Sequence, residues 1–139
     1  MNSTIIKYNL LPGDRIIEPK SNLRVIQHHS IYLGQDIYGA DWMIENKIGY
    51  GVRLIRAADY FNGVIEITSI KRFEGTGHER KLAVQKALKE VGKPYNLINY
   101  NCESFANYVQ QGHVKSNQVA GAFVFGFFAL AILAIFEGE

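Results

Sequence analysis

The sequence predicts an α+β fold, in which a small antiparallel sheet of about four or five strands is followed by two helices. The first half of the 139-residue chain holds short runs rich in Val, Ile and Tyr, separated by glycine-containing turns. From residue 78 onward, apolar residues recur at helical spacing instead. Since a typical domain takes about 100–150 residues, we expect one domain over residues 1–115 and an appended segment over residues 116–139.

The strands are predicted in chain order after a lead-in over residues 1–11 and a turn at Leu11-Pro12-Gly13-Asp14. A loop over residues 19–22 follows the first strand, and a short helical turn over residues 59–61 precedes the last. The predicted strands cover residues 15–17, 24–33, 42–45, 51–56 and 64–72. Arg53 and Arg56 in the fourth strand are interpreted as a solvated edge.

Two adjacent histidines lie in the strand over residues 24–33. Because side chains alternate along a strand, His28 shares one face with Ser30 and Tyr32, whereas His29 points to the other face. Only one of the two imidazoles can therefore meet a given partner. His78 and His113 lack a partner in sequence, and we expect them at the surface.

The only cysteine of the chain, Cys102, falls at the predicted start of a helix. A first helix covers residues 78–91 and is broken near Gly92 and Pro94. Asn99 or Asn101 can cap the next helix, which ends at Gly112. A thiol in the first turn of a helix gains from the helix dipole, which favours the reactive thiolate.

Composition excludes several classes of partner and compartment. The net charge of +2 and the absence of a Lys/Arg block argue against nucleic acid. One cysteine cannot close an intrachain disulfide, so nothing requires an oxidising compartment. Residues 1–10 lack the apolar run of a secretory signal. We therefore expect a cytoplasmic body, with no cofactor and no metal ion.

The C-terminal segment that begins at Val119 and ends at Phe136 has no charged and no polar side chain. As a helix, these 18 residues would cover about 27 Å, close to the roughly 30 Å thickness of bilayer hydrocarbon. Residues 119–136 are apolar on all sides, whereas a helix packed on a soluble core keeps a polar face. We expect a single-pass membrane anchor, with Lys115 on the cytoplasmic side and Glu137 and Glu139 at the far end. A buried core helix is the alternative.

Several of these stretches together resemble the LRAT-like family, which comprises lecithin:retinol acyltransferase and the H-Ras-like suppressor phospholipase/acyltransferases. The family lies within the circularly permuted, papain-like NlpC/P60 superfamily. The resemblance covers nearly the whole chain, and its most specific parts are the strand and the cysteine segment. It is carried by Leu11-Pro12-Gly13-Asp14, His28-His29-Ser30-Ile31-Tyr32-Leu33-Gly34, Gly92-x-x-Tyr95, Asn101-Cys102-Glu103-Ser104-Phe105, Gly112 and Ser116-Asn117-Gln118-Val119 before the apolar tail.

The resemblance implies that His28 is the general base and acid and that Cys102 is the nucleophile. In the family the third polar residue is usually a histidine on the next strand, but here Met43-Ile44-Glu45-Asn46 occupies that segment. Glu45 is then the first choice for the residue that orients the imidazole, with Asn46 as the alternative. Ser104 also stands where vertebrate members often have histidine, which points to a different substrate preference.

The implied activity is thiol-dependent acyl chemistry on a phospholipid or another acyl ester, through an acyl-cysteine thioester. Water as acceptor gives a phospholipase, and an amine or alcohol gives an acyltransferase. Two alternatives remain at the level of sequence. One is a cysteine peptidase or amidase of the NlpC/P60 type, and the other is a catalytically inactive, membrane-anchored interaction module.

Overall fold

A computed structural model describes residues 1–19, 27–64 and 66–111 of the chain. In these residues, five antiparallel strands form one sheet in the order β4-β3-β2-β1-β5. The predicted α+β class with an antiparallel sheet is confirmed. The strands are β1 (Arg15–Pro19), β2 (Gln27–Gln35), β3 (Asp41–Lys47), β4 (Gly51–Arg56) and β5 (Ser69–Lys71), and the helices are α1 (Ser3–Tyr8), α2 (Ala57–Asn62), α3 (Gly77–Lys89) and α4 (Cys102–Gln111).

Apolar side chains pack on both faces of the sheet. On one face Ile31, Leu33 and Ile44 contact α3 and α4, and this cluster includes the fully buried Phe105. On the other face Tyr32, with its neighbours on β1 and β3, packs against α1 and α2. Successive residues of β2 thus face different cores, as the alternation along the strand predicts. The body of α4 lies on the Ile31 face.

Among the predicted strands, the last one, over residues 64–72, differs most from the observed structure. The predicted strand over residues 64–72 pairs with β1 only over Ser69–Lys71. Val64 and Ile67 pack against the cluster around Tyr32 without belonging to a strand. Apolar residues in this stretch indicate burial and not backbone pairing, so the predicted strand is too long. Residues 20–26, which include the start of the predicted strand over 24–33, lie outside the described residues.

A short helix, α1, occupies part of the predicted lead-in. The Asn2 side chain caps it by accepting from the backbone N–H of Thr4 at 2.9 Å. Asn9 ends the helix in the left-handed region, with φ of 50°. Ile5 is its one buried residue, so its six residues show too little of the helical repeat for the pattern to be recognised.

The buried carboxylate of Asp14 joins the sheet to α3. It is fully buried and accepts hydrogen bonds from Arg80 at 2.9 Å and from Arg72 at 3.0 Å. The backbone N–H groups of Leu11 and Phe73 also donate to it, each at 2.9 Å. Although burial by itself raises the pKa of this carboxyl, these bonds outweigh it and leave the pKa below its ordinary value.

Helix α3 confirms the predicted helix over residues 78–91. Thr76 and Glu79 form a capping box at its start, and His78 lies exposed in its first turn, as expected. None of the helices in residues 1–19, 27–64 and 66–111 is long and apolar enough to cross a membrane. The predicted anchor over 119–136, His113 and the boundary near residue 115 lie outside these residues.

Candidate active site

Helix α4 begins at Cys102, where the sequence predicts a helix start, and Asn101 is its cap. The Asn101 side chain accepts from the backbone N–H of Ser104 at 2.9 Å, and the Ser104 hydroxyl accepts from the backbone N–H of Asn101 at 2.8 Å. This reciprocal pair satisfies two N–H groups at the helix start. Of the two capping residues that the sequence allows, the structure selects Asn101. The thiol is thereby placed in the first turn, close to the positive end of the helix dipole.

The Cys102 side chain is only 6% exposed and points toward the start of β2. Its sulfur lies 3.6 Å from the carbonyl oxygen of Gln27, which accepts from the thiol. Gln27 immediately precedes His28 on the strand. The fold therefore brings the helix that carries the thiol to the end of β2 that carries the histidine.

The imidazole of His28 is held by Glu45 on the neighbouring strand. Nε2 of His28 donates to Oε1 of Glu45 at 2.7 Å, and both residues are almost fully buried, with 4% and 3% of their surfaces exposed. The register explains the contact, because Glu45 lies opposite Ser30 and Ser30 shares a face with His28. Of the two residues that the sequence offers for holding the imidazole, Glu45 is thus the one that contacts it.

The nitrogen of His28 that remains for the thiol is Nδ1. Burial by itself lowers the pKa of His28, but hydrogen bonds to Cys102 and Glu45, and their charges, raise it to about 9. The arrangement thus favours an imidazolium beside the sulfur.

The contact between His28 and Cys102 forms although α4 packs on the opposite face of the sheet. The register of β2 with β3 runs from Ser30–Glu45 to Gln35–Asp41, and His28 lies before its first pair. The His28 ring is thus at the end of this ladder, where it reaches the thiol from one side and Glu45 from the other. The fold therefore brings the imidazole of His28 and the thiol of Cys102 together.

Arg53 on β4 holds the second oxygen of Glu45. Its Nε donates to Oε2 of Glu45 at 2.8 Å, and the two residues are register partners across β3 and β4. The interpretation of Arg53 as a solvated edge residue is therefore wrong. Burial raises the pKa of Glu45, yet the hydrogen bonds from His28 and Arg53 bring it below its ordinary value. Glu45 is held as a carboxylate.

Asn46, the alternative to Glu45, points to the other face of the sheet and does not hold His28. Its side-chain nitrogen donates to the backbone oxygen of Tyr100 at 2.8 Å and to that of Asn101 at 3.3 Å. It is fully buried. Asn46 thus fixes the chain immediately before Cys102, so that β3 supports the thiol and the imidazole through two consecutive residues.

His29 is buried on the α4 face beside Arg15, whose guanidinium lies 3.4 Å from its Nδ1. Burial and the Arg15 charge lower the pKa of His29 to about 4, so its ring is neutral at pH 7. Arg15 also donates to the side chain of Asn107 on α4 at 2.6 Å. Burial lowers the pKa of Arg15 below its ordinary value, and the nearby charges of Glu103 and Cys102 oppose this lowering. A permanent cation thus lies near the thiol, which sequence analysis missed because residue 15 is 87 positions from residue 102.

A cavity of about 470 Å³ borders the Glu45 side of the His28 ring. Its volume is within the range of ligand pockets. Its wall carries charges of both signs, from Glu18, His28, Glu45, Lys47, Arg53 and Asp59, together with the Tyr60 ring. Residues 1–19, 27–64 and 66–111 contain no cluster of His, Cys, Asp and Glu that suits a metal ion.

No protein-family model matches the sequence, and neither the curated proteins nor the solved structures yield a match. The geometry alone defines the kind of site. It is a cysteine at a helix start, next to a histidine whose other nitrogen is bound by a buried, arginine-paired carboxylate.

Proposed function

We propose that this chain is a cysteine-dependent enzyme that hydrolyses or transfers the acyl groups of phospholipids, and that it is related to the permuted papain-like LRAT family. The observation that supports the proposal most is the His28 ring, bound by Glu45 through Nε2 and close to the thiol of Cys102. Cysteine nucleophiles need an imidazole to hold the thiolate and a third group to orient the imidazole. All three parts are supplied by residues that the fold brings together.

In the first half of the reaction, Nδ1 of His28 takes the proton of Cys102 and leaves an imidazolium beside a thiolate. The sulfur attacks the ester carbonyl, and its electron pair forms the C–S bond while the carbonyl oxygen becomes an oxyanion. The N–H groups at the start of α4, including that of Cys102, stabilise the oxyanion. As the C–O bond breaks, the imidazolium gives its proton to the departing alkoxide, and an acyl thioester remains on Cys102.

In the second half, His28 takes a proton from the acceptor, which is water, an amine or an alcohol. The acceptor attacks the thioester carbonyl, the C–S bond breaks, and the thiolate of Cys102 reforms beside the imidazolium. Glu45 keeps Nδ1 directed at the sulfur throughout, because Nε2 stays bound to its carboxylate.

An exposed aliphatic loop next to the nucleophile favours a lipid over a peptide substrate. Leu97 and Ile98 are 71% and 85% exposed, and no charged residue occurs from position 94 to position 102. The tip is held in shape, because the Asn96 side chain accepts from the backbone N–H of Ile98 at 3.0 Å and Asn101 donates to the backbone oxygen of Leu97 at 3.1 Å. We propose that this tip inserts among acyl chains and places Cys102 at the lipid surface.

The double variant Leu97→Asn/Ile98→Asn should acylate Cys102 at least about tenfold more slowly on phosphatidylcholine vesicles, since a buried Leu or Ile side chain contributes about 1.5–3 kcal/mol. It should retain the wild-type rate on a dissolved short-chain phosphatidylcholine. Ile37→Asn is the control, since Ile37 is also an exposed aliphatic residue but follows the far end of β2. Equal losses in the control, or on the dissolved substrate, would contradict membrane insertion of the tip.

The apolar segment over residues 119–136 fits the same proposal. Its length and composition are those of a bilayer-spanning helix. We propose that it anchors the chain in a membrane, with the body that carries Cys102 on the cytoplasmic side.

Mass spectrometry of the intact chain tests the proposed function directly. After incubation with phosphatidylcholine, the wild type should gain the mass of one acyl group, and the Cys102→Ser variant should gain none. A wild type that stays unmodified by lipids but cleaves peptidoglycan fragments would support the peptidase alternative. Absence of any adduct, together with full lipid turnover by Cys102→Ser, would refute the role of the thiol.

A further inference from the structure

The carboxylate that holds the histidine is itself held by an arginine. Glu45 divides its two oxygens between two partners, with Oε1 bound to Nε2 of His28 at 2.7 Å and Oε2 bound to Nε of Arg53 at 2.8 Å. Glu45 is 3% exposed, whereas the Arg53 side chain is 29% exposed. The guanidinium also stacks on the Tyr50 ring, 4.1 Å from its centroid. Two contacts thus fix the arginine, and its position fixes the carboxylate.

A buried carboxylate is stable only while it is paired and hydrogen-bonded. His28 alone cannot guarantee this, because the imidazole is charged in one part of the proposed cycle and neutral in the other. An arginine guanidinium, unlike an imidazole, does not give up its proton during such a cycle. The guanidinium of Arg53 therefore holds Glu45 ionised in the steps during which His28 has given its proton away.

We propose that Arg53 is a positioning residue of this site, which acts through Glu45 to keep the His28 ring aimed at the sulfur of Cys102. The inference rests on the proposed function. A buried glutamate needs a cation on its second oxygen, and β4 provides one directly opposite.

Other charged groups around this carboxylate influence any pH dependence. Glu18 from β1 and Lys47 from β3 line the cavity beside it, and so do Asp59 and Tyr60 from α2. Burial raises the pKa of Glu18 above its ordinary value, so the charge of this carboxyl is itself sensitive to pH. Thiol alkylation is therefore compared in the alkaline range around pH 9, where His28 loses its proton.

The test measures alkylation of Cys102 by iodoacetamide against pH, together with the rate of acyl-adduct formation from phosphatidylcholine. In Arg53→Gln, acylation should slow about ten- to a hundred-fold, the loss expected when a reacting group is slightly misplaced. The midpoint of thiol alkylation should rise toward that of an ordinary cysteine. Arg53→Lys should restore part of both, because it keeps the charge. Arg56→Gln is the matched control and should leave both unchanged, because Arg56 is exposed at the end of β4 and pairs with Trp42 instead of Glu45.

A double-variant cycle decides whether Arg53 acts through Glu45. In a Glu45→Gln background, the further change Arg53→Gln should have little additional effect on either rate, because the link is already broken. An equal loss in both backgrounds would overturn the inference, as would a wild-type alkylation profile in Arg53→Gln. If the wild type forms no acyl adduct, the proposed function fails, but the alkylation profiles still test Arg53. Urea unfolding of each variant shows whether the protein is still folded, and so distinguishes a misoriented His28 ring from a general loss of structure.

Discussion

In the His28→Gln variant, acylation of Cys102 by phosphatidylcholine is expected to fall by roughly 10²–10⁴-fold, the range that a general acid–base residue contributes. Glutamine can still donate a hydrogen bond to Glu45, so the change removes the titrating ring and keeps a polar partner for the buried carboxylate. The loss follows because no group then takes the thiol proton or returns it to the leaving alkoxide. The rate of acylation is obtained by stopping the incubation at successive times and measuring the acylated fraction of the chain by mass spectrometry.

The same variant should change the titration of the thiol. The raised pKa of His28, about 9, means that the imidazolium persists through neutral pH and is lost as the pH rises through about 9. In the wild type, a thiolate should therefore be present well below pH 8.5, whereas in His28→Gln the pKa of Cys102 should return toward about 8.5. His78→Gln is the control, because His78 is exposed on α3. A wild-type thiol that already titrates near 8.5 would favour an inactive interaction module.

The second large effect is a loss of folding stability at acidic pH, and we expect it to come from His29. The pKa of His29 is about 4 in the folded protein because of burial and the Arg15 charge, against about 6.5 in the unfolded chain. Between these values the unfolded chain binds a proton that the folded protein does not. The contribution of His29 to stability is therefore complete above pH 6.5 and is lost as the pH falls toward 4. At about 1.36 kcal/mol per pH unit, the loss reaches roughly 3 kcal/mol.

Urea unfolding at pH 7.5, 6 and 5 checks this expectation. The free energy of unfolding of the wild type should fall by about 2 kcal/mol between pH 7.5 and pH 5 from this source, and the fall should be absent in His29→Gln. Each variant is compared with its own value at pH 7.5, so a general destabilisation by the substitution does not affect the readout. His78→Gln should behave as the wild type. An identical fall in His29→Gln would show that other groups cause the acid sensitivity.

The place of Cys102 at the start of a helix could be predicted from sequence because the signals for it are local. An asparagine before Cys102, apolar residues at helical spacing after it and a glycine-containing break before it all lie within about a dozen positions. The choice of Asn101 over Asn99 as the cap needed the structure. It depends on the reciprocal bond with Ser104, which the type of residue alone does not determine.

The partners of His28 depended on strand register, which sequence indicates only weakly. Glu45 and Asn46 are adjacent and point to opposite faces, so a slip of one residue would exchange their roles. The register of β3 with β2 places Glu45 beside the imidazole, and that of β4 with β3 places Arg53 beside Glu45. A charged residue on an edge strand looks the same in sequence whether it faces water or a buried carboxylate.

By itself, the sequence determined the α+β class and the helix that starts at Cys102, because these follow from periodicity and capping within single elements. The tertiary structure alone decided that Glu45 orients His28, that Asn46 supports the start of α4 instead, and that Arg53 completes the chain of contacts. Each of these contacts joins residues on different elements, whose separation is set by the hydrogen-bond register of the sheet and by the packing of α4 upon it.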